Sequence, residues 1–300
     1  MKNLLPWTRL KWNWKVYGVL MGLYALGFAT GFPFVLSFEE YESPYVFLDE
    51  ILQGFLLGAV VLSMGMALSK RTGLGTTVLD SWISGKRKKI SLTLVLSLSV
   101  MGVIASSFLL LALRFVASLF IAAMGGDLSP AVHASADLMS NYPEIWKWFL
   151  VAFHAGVTEE IIFRFGLMNL LVWTIQGLGS ENKGLSPKSV FWISNLIAGF
   201  IFGLLHLIGV VPVPDDLLSK AVVVLQNTWV GLLFGWFYWK FGLESAMLTH
   251  FLLDVFLYVW MIPILMTANV VLILAWFVMT VIVLIVAINK YSAISTKQAV

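Results

Sequence analysis

Stretches of apolar residues, each bounded by charges, prolines or polar clusters, recur along the whole chain. A helix needs about 20 apolar residues to cross the hydrocarbon core of a membrane. The pattern therefore predicts an all-α polytopic integral membrane protein with about eight transmembrane helices. The predicted spans are residues 16–36, 46–68, 90–113, 145–175, 190–211, 221–239, 243–262 and 270–288.

Two apolar segments do not fit a simple span. The fourth stretch, residues 145–175, is too long for one crossing at a right angle to the membrane, so we expect it to tilt or break. Residues 114–124 are also apolar, and they either extend the third span, re-enter the membrane or lie at its surface.

Composition supports the membrane assignment and excludes other classes. Hydrophobic residues make up 60% of the chain and charged residues 12%, against about 45–50% and about 25% in soluble domains. The chain has no cysteine, which excludes disulfide scaffolds, iron–sulfur clusters and thiol nucleophiles. The net charge of +3 is small and no basic stretch is suited to gripping nucleic acid, so we expect no nucleic-acid partner.

The distribution of charge between the spans predicts orientation. Basic residues precede the first span and fill the second loop, whereas the first loop carries only acidic charges, so the positive-inside rule places the N-terminus in the cytoplasm. Lys290 and Lys297 place the C-terminus there too, as an even number of spans requires. The basic residues are Lys2, Arg9, Lys11, Lys15, Lys70, Arg71, Lys86, Arg87, Lys88 and Lys89. We expect a multi-pass protein of the cell membrane that forms one integral membrane domain, residues 1–300.

Glycines four residues apart recur in several predicted spans. This G-x-x-x-G spacing allows two helices to approach closely in a bilayer. We expect some of the pairs at helix contacts, while others simply reflect the 24 glycines of the chain. The pairs are Gly18 and Gly22, Gly54 and Gly58, Gly199 and Gly203, and Gly231 and Gly235.

Ionisable residues in three spans are the candidates for chemistry, because such groups are costly inside a membrane and face a cavity or the bundle interior. On the fourth span, the four-residue spacing of Glu160 and Arg164 allows an ion pair. Glu159 lies about 100° around the helix from Glu160 and is left without this partner. Glu159 is therefore the better candidate for a general base, although all three residues could instead form a buried network that only fixes helix packing.

The fifth and seventh spans add two histidines and a carboxylate. Phe202 and His206 share one helix face, and so do His250 and Asp254. Two histidines and a carboxylate from separate spans could activate water and stabilise an oxyanion around a shared polar cavity.

These motifs, Glu159-Glu160-x-x-x-Arg164, Phe202-x-x-x-His206 and His250-x-x-x-Asp254, resemble the signature of the CAAX protease and bacteriocin-processing family of intramembrane proteases. That family includes the type II CAAX prenyl endopeptidases. The resemblance covers residues 145–262, which we interpret as the catalytic core, and leaves residues 1–113 without an assigned role. It implies an endopeptidase with eight or so helices around a water-accessible cavity.

By this resemblance, Glu159 with His206 activates a water, while His250 and Asp254 bind the oxyanion; Glu160, Arg164 and Phe202 support them. Asp254 departs from the usual asparagine, and an ionised aspartate would repel an oxyanion, so it must be protonated or orient His250. Two alternatives from other classes are a non-catalytic immunity or scaffold protein and a proton-coupled transporter.

Two mechanisms for activating the attacking water remain open. Glu159, His206 and His250 supply a possible zinc ligand set, with Asp254 as a further ligand or partner of a ligand. We favour a glutamate mechanism without a metal or other cofactor. The expected partners are membrane lipid and a peptide or protein substrate that enters from the bilayer or the cytoplasmic side.

Overall fold

The structure, a computed structural model, describes residues 13–37, 44–85, 91–125, 143–178, 185–208, 216–266 and 270–298. The regular elements within these ranges are all helical, which confirms the predicted fold class. They are α1 (Trp14–Val35), α2 (Pro44–Thr72), α3 (Val78–Ser84), α4 (Leu92–Ala123), α5 (residues 145–178), α6 (Pro187–Leu205), α7 (Leu217–Phe241), α8 (residues 243–266) and α9 (Val270–Gln298).

Six of these helices are long and apolar enough to cross a membrane, so the chain is a multi-pass membrane protein. The six segments are Trp14–Val35, Leu48–Thr72, Leu92–Ala123, Pro187–Ile208, Leu217–Phe241 and Leu243–Ile264. The helix α5 is not among them and carries Glu159, Glu160 and Arg164 within its apolar sequence, and in α9 the apolar stretch is the shorter Phe277–Ser292. A total of eight spans therefore stays a prediction.

The two apolar segments that sequence left open are both helical. Residues 114–123 extend α4 without interruption. The long fourth stretch remains one helix, α5, but its hydrogen bonding changes to the wider π type over Ala155–Glu159 and Ile161–Met168. A third π-helical segment, Val255–Met261, lies in α8.

Short polar side chains begin several of the helices. The side chains of Asn13, Ser91, Ser186 and Asp216 each accept a hydrogen bond from the backbone N–H three residues later, at the start of α1, α4, α6 and α7. These caps satisfy backbone donors that the first turn of a helix leaves unpaired. Gly242, with φ of 97°, makes the sharp turn from α7 into α8.

Contacts at one end of the bundle join the end of α2 to α5 and α8. Thr72 donates a hydrogen bond to Asn169 of α5, and the backbone N–H of Leu243 donates to the carbonyl of Gly75 at 3.1 Å. Charged residues here are mainly basic, and we call this the basic end. Its basic residues are Lys15, Lys70, Arg71, Lys188 and Lys240, and its acidic residues are Asp80 and Glu244.

The opposite end joins the end of α1 to the start of α5 and to α8. Phe34 packs on Trp148 with ring centroids 4.5 Å apart, and Trp148 stacks on Tyr258 at 4.6 Å. We call this the acidic end, from its acidic residues Asp49, Glu50, Glu144 and Asp216; it also carries Lys147 and Lys220. The predicted orienting residues Lys2, Arg9, Lys11 and 86–89 lie outside the described residues.

Glycines set the close, antiparallel crossing of α6 and α7. A Cβ on Gly231 would lie 3.0 Å from the Cα of Gly199, and one on Gly199 would lie 3.2 Å from the carbonyl oxygen of Thr228. Gly203 and Gly235 face the opposite helix in the same way. By contrast, a Cβ on Gly18 or on Gly22 would meet nothing within 4 Å, so this pair is not used in a helix contact of the described residues.

Candidate active site

The ionisable residues singled out by sequence lie on α5, α6 and α8: those of α5 and α8 are near the middle of their helices, and His206 is at the end of α6. Glu160 sits between the two π-helical segments of α5, and Asp254 directly precedes the π-helical segment of α8. A π-turn adds a residue to a helical turn and is frequent at functional sites. The helix α7, which the sequence did not include in the site, packs against α5, α6 and α8.

Glu160 and Arg164 form the ion pair that their spacing predicts. The Nε atom of Arg164 lies 3.2 Å from Oε2 of Glu160, and the two residues are 1% and 0% exposed. Nη2 of Arg164 also donates to the carbonyl oxygen of Gly231 at 2.9 Å. The guanidinium carbon lies 4.8 Å from the ring centroid of Phe202 and 5.4 Å from that of Phe234, so aromatic faces surround the cation.

Glu160 has a second partner, His250 of α8. Nδ1 of His250 donates to Oε1 of Glu160 at 2.8 Å, in a contact that is closed to solvent. A histidine whose Nδ1–H is held by a carboxylate has a fixed ring orientation, and its Nε2 remains for chemistry. One carboxylate thus joins the arginine of α5 to the histidine of α8.

Phe234 of α7 is the site residue that sequence reasoning missed. Its ring stacks on the imidazole of His250, with centroids 4.3 Å apart and planes 19° apart. Gly231, one turn before it, lets Arg164 approach the backbone of α7, because a Cβ there would lie 3.3 Å from Nη2. The Gly231 and Gly235 pair marked α7 as a packing helix, but no charged residue near it pointed to the site.

Glu159 and Asp254 lie on the other side of His250. Nε2 of His250 is 3.9 Å from Oε2 of Glu159 and 3.5 Å from Oδ2 of Asp254. The Glu159 and Asp254 side chains are 28% and 16% exposed. Oε2 of Glu159 is itself buried and has no hydrogen-bond partner among the described residues.

His206 lies at the edge of the cluster. It ends α6, its Nδ1 donates to the carbonyl of Phe202 at 2.8 Å, and its ring lies 4.5 Å from the ring of Phe202. It forms no ion pair with a described carboxylate. The structure therefore brings Glu159 together with His250 and Asp254, while the predicted partner of Glu159, His206, is connected to the cluster through Phe202.

Two further observations concern His154 and a metal. His154 of α5 lies outside the cluster, with its Nδ1 3.0 Å from the carbonyl oxygen of Gly27 in α1. Across the described ranges, no group of three or more histidine, aspartate or glutamate side chains is arranged to hold a metal ion. Glu159, His206 and His250, the possible zinc ligands, do not form such a group there.

Comparison with known proteins bears on the same part of the chain. Residues 141–256 match the family model described as type II CAAX prenyl endopeptidase Rce1-like. No curated protein and no solved structure shows a significant match. The matched range runs from the start of α5 into α8 and includes all three motifs. This part of the chain is therefore similar to the Rce1-like type II CAAX prenyl endopeptidases, and the resemblance indicated by the three motifs is confirmed.

Proposed function

We propose that this protein is an intramembrane endopeptidase that hydrolyses a peptide bond with a water activated by Glu159. The difference between two adjacent glutamates carries the proposal. Glu160 forms an ion pair with Arg164 through Oε2 and accepts a hydrogen bond from His250 through Oε1, whereas Oε2 of Glu159 has neither kind of close partner among the described residues and the Glu159 side chain is partly exposed. A carboxylate in this position is able to take a proton from a water. The Rce1-like domain supports a CAAX-type intramembrane protease in general.

Glu159 acts twice in the proposed reaction. It takes a proton from the water as the water oxygen bonds to the carbonyl carbon of the substrate, whose oxygen becomes an oxyanion. The oxyanion then re-forms its carbonyl, the C–N bond breaks, and Glu159 returns the proton to the leaving amine. We assign the Nε2 atom of His206 to the same water, because the Nδ1 atom already donates a hydrogen bond to the carbonyl oxygen of Phe202.

His250 and Asp254 stabilise the oxyanion in this proposal. A protonated His250, held through Nδ1 by Glu160, presents its Nε2–H as the donor. Asp254 lies 3.5 Å from that nitrogen, so its carboxylate orients and balances the imidazolium instead of binding the oxyanion itself. This arrangement removes the difficulty posed by an aspartate where the family usually has asparagine.

The activity is tested with purified protein in liposomes and two quenched fluorescent peptides, one farnesylated at a C-terminal CAAX sequence and one identical but without the lipid. We expect the wild-type protein to cleave at least one of them at a single peptide bond, identified by mass spectrometry. Glu159→Gln keeps size and hydrogen-bonding capacity and should slow cleavage by about 10²- to 10⁴-fold. A wild-type protein that cleaves neither peptide would favour the non-catalytic scaffold function.

The proposed mechanism uses no metal, and this part has its own test. Elemental analysis of the active protein should find no stoichiometric zinc, and strong chelation should leave the cleavage rate unchanged. About one zinc per chain, with activity lost on chelation and restored by zinc, would show instead that a metal lowers the pKa of the attacking water.

A further inference from the structure

Exposure divides the active-site cluster into a closed part and an open part. Glu160, Arg164 and His250 are all buried. The side chains of Glu159 and Asp254 are partly exposed, and so is His206. Three of the four groups that the proposed reaction uses, Glu159, Asp254 and His206, thus lie along the open side of the cluster, and the fourth, His250, is buried.

The open part lies towards the acidic end of the bundle. The helices α6 and α8 both run from the basic end to the acidic end, so His206 lies one turn nearer the acidic end than Phe202, and Asp254 one turn nearer than His250. The helix α5 runs in the opposite direction, and Glu159 precedes Glu160. Each exposed group is therefore displaced in the same direction from its buried neighbour.

Helix packing changes on that side of the cluster. Residues 161–178 of α5 pack against α6, and their ring contact between Phe163 and Phe202 has a centroid distance of 5.1 Å. Nearer the acidic end, the two helices have different neighbours. Residues 145–159 of α5 pack on α1 and α8, whereas residues 206–208, which follow α6, pack on α7. Glu159 and His206 lie on either side of this division.

The distribution of charge indicates on which side of the membrane the acidic end lies. The basic end carries Lys15, Lys70, Arg71, Lys188 and Lys240, all exposed, and cytoplasmic surfaces of membrane proteins are enriched in lysine and arginine. The positive-inside rule therefore predicts that the acidic end faces away from the cytoplasm.

We infer that substrate reaches Glu159 from the non-cytoplasmic side, between α5 and α6. This inference rests on the proposed endopeptidase function. It limits the substrates to peptide segments at the outer surface or in the outer leaflet of the membrane, whereas the sequence led us to expect entry from the bilayer or the cytoplasmic side. Such a protease acts on chains already translocated across the membrane.

The inference is tested by the side from which a thiol at the site is labelled, which does not require activity. Because the chain has no cysteine, Glu159→Cys and Asp254→Cys each introduce a single thiol. A membrane-impermeant maleimide is added to intact cells or to inside-out vesicles. Ile208→Cys, 80% exposed at the acidic end, and Trp82→Cys, 76% exposed in α3 at the basic end, are the controls.

We expect the thiols at 159, 254 and 208 to react in intact cells and the thiol at 82 to react only in inside-out vesicles. Two site positions are used so that one misfolded variant does not decide the result. Labelling of both site thiols from the cytoplasmic face alone, or from neither face while the thiol at 208 reacts, would overturn the inference. Failure of the proteolytic function would appear separately, as normal labelling with no cleavage by the wild-type protein.

Discussion

At the scale of residues, neighbours along the chain have different surroundings. Glu159 and Glu160 project about 100° apart, and this angle was enough to predict from sequence that only Glu160 pairs with Arg164. The contact between Glu160 and His250 could not be predicted in the same way, because the spacing of residues within one helix contains no distance to another helix. For the same reason, the sequence did not indicate Phe234, and it led us to pair His206 with Glu159.

Removal of Arg164 should destabilise the protein. Arg164→Ala leaves the carboxylate of Glu160 buried without its cation, at an expected cost of about 3–5 kcal/mol. Thermal unfolding of the purified protein in detergent measures this cost. Lys188→Ala, an exposed change at the start of α6, is the control that should leave the unfolding temperature near that of the wild type. Equal unfolding temperatures for both variants would contradict a stabilising role for Arg164.

Phe234 should affect turnover through the orientation of His250. Phe234→Leu removes the stacked ring, so we expect kcat to fall by about 3- to 10-fold with little change in KM, in line with the 0.5–1.5 kcal/mol typical of such ring pairs. Phe237→Leu is the matched control, since Phe237 is equally buried on α7 and packs on Trp236 and Phe241. Equal losses of kcat in both variants would reduce the role of Phe234 to packing.

At the scale of elements, apolar length predicted the long helices but not their internal geometry. All eight predicted stretches overlap long helices, because apolar length decides which segments can cross a membrane. The π-helical segments in α5 and α8 leave no trace in the hydrophobic pattern. The short helix α3 was also missed, since its start depends on Glu244, which accepts hydrogen bonds from the backbone N–H groups of Thr77 and Leu79.

The close crossing of α6 and α7 should contribute both to stability and to turnover. Gly231→Ala adds a Cβ that lies 3.0 Å from the Cα of Gly199, so the helices must separate and Arg164 loses its approach to α7. We expect a lower unfolding temperature and a lower kcat. Gly22→Ala is the control, because its Cβ meets nothing within 4 Å. An unfolding temperature for Gly231→Ala equal to that of Gly22→Ala would mean that the close crossing contributes no stability.

At the scale of the molecule, charge and chain direction together relate the site to the membrane. Counting charges along the sequence predicted an orientation for the termini, but it could not show which groups of the site face which end. That relation depends on the directions of α5, α6 and α8, which only the assembled bundle provides.

The last helix tests the predicted total of eight spans. If α9 crosses the membrane, Val271→Cys at its start should be labelled by an impermeant maleimide from outside, and Tyr291→Cys near its end only from the cytoplasmic side. Both positions are exposed, so both thiols can react. Labelling of both from the same side would show that α9 does not cross, and the number of spans would have to be revised.

The central claim is that Glu159 activates the water while Glu160 holds the cluster together, and paired substitutions test it most directly. Glu159→Gln and Glu160→Gln make the same chemical change at adjacent positions, and kcat and unfolding temperature are measured for both. The account predicts that Glu159→Gln lowers kcat by about 100-fold or more at an unchanged unfolding temperature, whereas Glu160→Gln clearly lowers the unfolding temperature. Wild-type turnover by the Glu159→Gln protein would contradict the account.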